Sequence, residues 1–183
     1  MRWKLTIYIA FLRGINVGGH NKIKMADLRL LLETMGSGKV QTYIQSGNVL
    51  FESLRDSEEL RQQLEKQIKN QFGFSVPVML RTSVELEQII ENNPFSFDDL
   101  LEGESIHLSL LSESPQQKGI NHLLELHGDV DECEVKDKEI YIYLRQSVRS
   151  SKLAARIQKI GVPSTSRNWK TVLKLATMAK AME

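Results

Sequence analysis

Residues 13–24, Arg13-Gly14-Ile15-Asn16-Val17-Gly18-Gly19-His20-Asn21-Lys22-Ile23-Lys24, gather the most chemically suggestive side chains of the chain. Gly14, Gly18 and Gly19 allow a close backbone approach, Arg13, Lys22 and Lys24 bring permanent positive charge, and no acid interrupts them. The segment follows an apolar run and leads into helical spacing. A glycine-rich, basic strand-to-helix junction is where backbone N–H groups and a helix N-terminus converge on an anion. Two further polar groups suit the same chemistry. Ser46, Gly47 and Asn48 form a turn, and Arg167 with Asn168 offers donors for bidentate contact with phosphate or carboxylate.

The loop is neither of the familiar nucleotide cradles. It lacks the glycine-lysine-hydroxyl ending of a phosphate-binding P-loop and the spacing of the dinucleotide fingerprint. His20, His107, His122 and His127 show no ligand spacing, so no metal site is expected. His20 alone lies in the loop. No nucleophile with a recognisable base and no pair of carboxylates accompany it, so no catalytic residue or cofactor is assigned.

The elements that must position these groups follow from periodicity. Leu5 to Leu12 is a continuous apolar run, the composition of a central strand. Met25, Leu28, Leu31, Leu32 and Met35 recur at helical spacing and stop at Gly36. Val40–Gln45 and Val49–Glu52 predict a hairpin about Ser46-Gly47-Asn48. Asp56 predicts a helix cap, Leu60, Leu64, Ile68 and Phe72 the buried stripe, and Gly73 the stop. Val76–Leu80 predicts a strand that Pro77 confines to an edge. This βαββαβ order is the split-βαβ, or ferredoxin-like, plan. In it the loop leaving the first strand and the turn joining the second and third lie at one end of the sheet.

A helix over 83–92 and an acidic connector through residue 103 follow. The plan then restarts: strand Ile106–Leu111, a helix capped by Ser114 and stopped by Gly128, strands Glu132–Val135 and Glu139–Leu144, and a helix Ser151–Ile160. No fourth strand is evident in this half. A final helix from Ser166 puts Trp169, Val172, Leu173, Ala176 and Ala179 on its apolar face, with Arg167 and Asn168 in its first turn. The expected fold is α+β: two related ferredoxin-like subdomains with antiparallel sheets, at 1–82 and 104–183, joined through 83–103 and ending in a C-terminal helix.

Composition sets the surroundings. With 41% hydrophobic and 26% charged residues the chain is that of an ordinary globular protein, and no apolar run is long enough to span a bilayer. The single cysteine, Cys133, excludes an internal disulfide and points to the cytoplasm. The net charge of +1 conceals a polarity. Residues 1–26 carry no acid and residues 140–183 carry only Glu183, so nearly all the acids lie between. Basic ends of this kind favour an anionic partner.

Arg13-Gly14-Ile15-Asn16-Val17-Gly18-Gly19, Lys22–Arg29, Tyr43-Ile44-Gln45-Ser46-Gly47-Asn48-Val49 and Thr165-Ser166-Arg167-Asn168-Trp169 together resemble an uncharacterised bacterial family, domain of unknown function 1697. The resemblance implies an α+β fold of two related subdomains and carries no activity or catalytic assignment. The function expected from the residues is binding of a small phosphorylated or carboxylated ligand by Arg13, Gly14, Asn16, Gly18, Gly19, Lys22, Lys24, Ser46, Gly47, Asn48, Arg167 and Asn168. An alternative is an RNA- or single-strand-binding module. It would use the basic ends and Tyr8, because Ile7-Tyr8-Ile9-Ala10-Phe11-Leu12 resembles the first-strand motif of RNA-recognition modules. A protein-interaction module, docking a basic partner on the acidic middle, is the third reading.

Overall fold

The computed structural model describes residues 3–125 and 130–183. His127 and the expected helix stop at Gly128 lie outside them. The chain divides into two compact units, one of residues 1–88 and 174–183, the other of residues 89–173. Among the described residues no helix is long and apolar enough to cross a membrane.

In the first unit the elements are β1 (Thr6–Leu12), α1 (Met25–Thr34), β2 (Gly38–Tyr43), β3 (Asn48–Ser53), α2 (Ser57–Phe72), β4 (Val78–Thr82) and the start of α3 (Ser83–Glu91). The strand order β2-β3-β1-β4 is antiparallel between neighbours and leaves β4 at an edge, as Pro77 predicts. Alternation along β1 directs Tyr8, Ala10 and Leu12 to the face covered by α1 and α2, where they meet Phe51, Val49, Leu28, Leu32, Leu60 and Leu64. Asp56 caps α2 by accepting hydrogen bonds from the Glu58 and Glu59 amides, and Gly73 ends it in the left-handed conformation at φ 84°. On the opposite face Ile9, Phe11, Leu50 and Met79 are buried too. Tyr8 stacks on Phe51 at 5.8 Å and donates its hydroxyl to the Arg55 carbonyl. Buried under the helices, it is not available to stack on a base.

The second unit holds β5 (Ser105–Leu111), α4 (Gln117–Leu124), β6 (Glu132–Lys136), β7 (Glu139–Leu144), a 3-10 turn (Val148–Ser150), α5 (Lys152–Ile157), β8 (Ser164–Asn168) and the start of α6 (Trp169–Ala181). Its order, β6-β7-β5-β8, reproduces that of the first. Three expectations need correction here. The helix expected from Ser166 begins at Trp169, and residues 164–168 are the missing fourth strand, paired with β5 from His107↔Asn168 to Leu111↔Ser164. Asn168 caps α6, its side-chain oxygen accepting from the Lys170 amide. Ser114 does not cap α4; its hydroxyl donates to the Asp137 carboxylate, and the helix starts two residues beyond Pro115.

The repeat extends from element order to single hydrogen bonds. The Leu12 amide donates to the Gly47 carbonyl at 2.9 Å, and the Leu111 amide to the Lys138 carbonyl at 2.8 Å. The next amides, of Arg13 and Ser112, donate to the carbonyls of Pro77 and Pro163, each at 3.0 Å. Register then makes Ile9, paired with Arg81, the counterpart of Leu108, paired with Arg167. Both arginines are buried, each donating to the carbonyl of the residue before it. Such agreement is the mark of one fold used twice.

Candidate functional site

The β1–α1 loop is built around Asn16. Its φ of 56° lies in the left-handed region, which asparagine tolerates better than most side chains. The amide Nδ2 donates to the carbonyls of Ile23 (3.0 Å) and Gln45 (2.8 Å), while Oδ1 accepts from the Ile23 amide (2.9 Å). The side chain thus serves Ile23 as a neighbouring strand would. It also ties the loop to the β2–β3 turn, joining two segments that topology alone placed at one end of the sheet. Gly18 (φ 58°) and Gly19 (φ 78°) form the tip of a small hairpin closed by the His20 amide on the Val17 carbonyl. Two successive positive φ values define a turn that glycine enters without steric cost.

Pinning Ile23 has a consequence for charge. Ile23 is buried in the core, and its extended neighbours Lys22 and Lys24 both project outward. They line a cavity of about 520 Å³ together with Asn16, Gly19, Asp27 and Gln45. Met25 and Phe72 add an apolar wall. Among the described residues neither lysine forms an ion pair. The cavity stands at the start of α1, whose N-cap residue, Lys24, makes no side-chain capping bond.

Of the expected residues, Asn16, Gly19, Lys22 and Lys24 meet here. Arg13 is half-buried beside them in sequence but is not part of the wall, nor are Gly14 and Gly18. Ser46, Gly47 and Asn48 close the adjoining turn, Asn48 donating to the Tyr43 carbonyl and the Ser46 hydroxyl. Arg167 and Asn168 belong to the second unit. There the Arg167 guanidinium is buried and donates to Thr165 Oγ1 (2.7 Å) and the Ser166 carbonyl (2.9 Å), and burial pulls its pKa down to about 10. Trp169 is core, 6.2 Å from the Tyr141 ring. The wall residues Gln45, Asp27, Met25 and Phe72 are not among the expected ligand contacts. Gln45 lies within the Tyr43–Val49 segment and Met25 and Asp27 within Lys22–Arg29, so these three carried a signal, whereas Phe72 was marked only as part of a buried helical stripe.

Comparison with known proteins bears on this loop. Residues 5–141, well over half of the chain, match the model of the family described as "Protein of unknown function (DUF1697)". The chain belongs to that family. A conserved bacterial protein, SP0830 from Streptococcus pneumoniae, has a solved structure that is 30% identical. The match covers 96% of this chain and 99% of that one, with a TM-score of 0.78. No curated protein matches. The family's span takes in the whole loop, the hairpin turn and all four strands of the first unit, so the cavity lies inside the matched region. Among the described residues there is no group of three or more His, Cys, Asp or Glu side chains able to hold a metal ion.

Asn16 offers a direct check on this construction. Asn16→Ala removes three hydrogen bonds and puts a less tolerant residue at positive φ, an expected loss of about 3 kcal/mol. Urea unfolding of the variant measures it. A loss below about 1 kcal/mol would mean the loop is held by something else.

Proposed function

We propose that the protein binds a small phosphorylated or carboxylated molecule in the cavity at the start of α1, and does so in the cytoplasm, the compartment that a single cysteine suits. Lys22 and Lys24 supply the charge, Gln45 a polar contact, and Met25 and Phe72 the surface for the ligand's apolar part. The observation that carries this reading is the pairing of Lys22 and Lys24 on one wall, fixed there by the Asn16 clamp on the residue between them. A clamp of three hydrogen bonds is more than a connecting loop requires. Ile44, next to Gln45, supports it: a β-branched residue at φ 50° stores strain of about 1–3 kcal/mol, and such strain gathers at binding sites. Asp27 on the same wall leaves the cavity with a net charge near +1 and favours a ligand that presents a donor beside its anionic group.

Thermal unfolding against a panel of nucleotides, sugar phosphates and small carboxylates tests the reading. A ligand at about a hundred times its Kd stabilises by about 2.7 kcal/mol, a rise of roughly 5–10 °C for a chain of this size. Lys22→Gln with Lys24→Gln should abolish that rise while leaving the unliganded midpoint unchanged, because both side chains are exposed. No shift with any member of the panel, or an equal shift in the double variant, refutes it.

A further inference from the structure

The second unit carries a cavity of its own, and the first unit shows what it lacks. Register equates His107 with Tyr8 and Ile142 with Phe51: Tyr8 pairs with Phe51 and Thr82, His107 with Ile142 and Asn168. In the first unit these positions hold two stacked aromatic rings beneath α2, a helix of 16 residues. In the second they hold an imidazole and a branched aliphatic chain beneath α5, a helix of 6 residues. α2 starts four residues after its strand, whereas α5 starts eight after its own, with the 3-10 turn Val148–Ser150 in between. Ring volume and helical cover are therefore both reduced at one spot, which leaves a space of about 200 Å³.

The walls of that space say what would fill it. Ile142 and Leu144 from β7, Ile157 and Ala154 from α5, and Val148 from the turn make it chiefly apolar. Its volume is of the order that accepts a benzene-sized molecule, for which about 150 Å³ suffices. Polar groups stand at defined points. His107 lies on the floor with Nε2 3.0 Å from the Ser105 hydroxyl, and burial pulls its pKa below the ordinary value, keeping the ring neutral at pH 7. Arg149 lines the cavity from the exposed turn, and among the described residues it forms no ion pair. An apolar pocket with a few placed polar groups and one guanidinium matches an apolar acid.

We propose that this cavity is a second binding site, for a small monocarboxylic acid with a ring-sized apolar body. The body occupies the space that the Tyr8 and Phe51 rings fill in the first unit, between Ile142 and α5, and the carboxylate pairs with Arg149. The site shares no residue with the lysine-lined cavity.

Calorimetric titration of the full chain with benzoate, and with benzyl alcohol as its uncharged counterpart, tests this. Benzoate should bind saturably at one site in the low-millimolar range or tighter. Arg149→Gln, a change on an exposed turn, should weaken benzoate about tenfold and move benzyl alcohol by less than about twofold. His107→Tyr, which restores the residue of the first unit, should fill the cavity, raise the thermal midpoint and abolish both. Lys22→Gln with Lys24→Gln should leave benzoate binding intact. The proposal is overturned if benzoate fails to saturate up to about 10 mM, if its affinity is equal in Arg149→Gln, or if it is lost in the double lysine variant. Should circular dichroism show His107→Tyr unfolded, the Arg149→Gln comparison decides alone.

Discussion

Replacing Gly47 by alanine is expected to lower the free energy of unfolding by about 3 kcal/mol, from two additive causes. Gly47 holds φ at 90°, where a side chain costs about 1–2 kcal/mol. A Cβ there would also lie 2.8 Å from Ile15 Cδ1 and 2.9 Å from Leu12 Cβ. Both neighbours are core residues, and Leu12 Cβ is fixed by a backbone that donates its amide to the Gly47 carbonyl itself. The overlap cannot be relieved by a rotamer change and adds about 1–2 kcal/mol. Gly18→Ala is the control: it sits at φ 58°, but its nearest contact would be His20 Cδ2 at 3.8 Å, so only the conformational cost of about 1 kcal/mol applies. Urea unfolding of the two variants separates the causes, and equal losses would remove the packing contribution. On this account Gly47 shapes the turn that carries Gln45, and acts on any ligand only through it.

The first half of the fold was legible because its local signals agree. β1 is apolar beyond Thr6, α2 has a cap, a stripe and a stop, and Pro77 marks an edge; each rule points to the same element. β8 escaped because Ser164-Thr165-Ser166-Arg167-Asn168 buries polar side chains, so no apolar alternation marks it. Its Ser and Asn residues look like helix caps, and one of them is. What recovers the strand is its partner β5, a tertiary effect that sequence spacing does not carry. Ser114 misled for a related reason, its hydroxyl being drawn to Asp137 across 23 residues of sequence. The loop of the candidate site was legible in composition and in place, since βαββ topology brings it beside the hairpin turn. The roles within it were not: Asn16, with donors and acceptor committed to Ile23 and Gln45, positions the lysines. The cavity of the second unit had no sequence signal at all. It consists of volume that His107 and Ile142 fail to fill, visible only beside Tyr8 and Phe51 in register.

Asp131 should prove the most important carboxylate of the second unit. Only 4% exposed, it accepts from the Arg145 amide (2.9 Å), Gln146 Nε2 (2.9 Å) and the Ser151 hydroxyl (2.7 Å). Ser151 Oγ in turn accepts from the Ala154 amide and caps α5. One carboxylate therefore organises the connection between β7 and the short helix over the apolar cavity. Asp131→Ala leaves these donors facing an empty space, an expected loss of about 3 kcal/mol. Asp131→Asn keeps the shape but turns an amide toward donors, and should lose about 2 kcal/mol. Burial pushes the Asp131 pKa up, but the hydrogen bonds from Gln146, Ser151 and the Arg145 amide, with the Arg145 charge, outweigh it and hold the group below its ordinary 3.8. The folded state thus binds this proton more weakly than the unfolded chain. The stabilisation is complete above the ordinary carboxylate pKa and disappears as pH falls through the lower, folded value. Glu58 and Glu104, also held low, add to the acid sensitivity of the wild type, so the informative quantity is the difference between wild type and Asp131→Asn. That difference should be constant from about pH 7 to 5 and shrink below about pH 4. A difference that does not shrink in acid would show that the charge of Asp131 does not hold the start of α5.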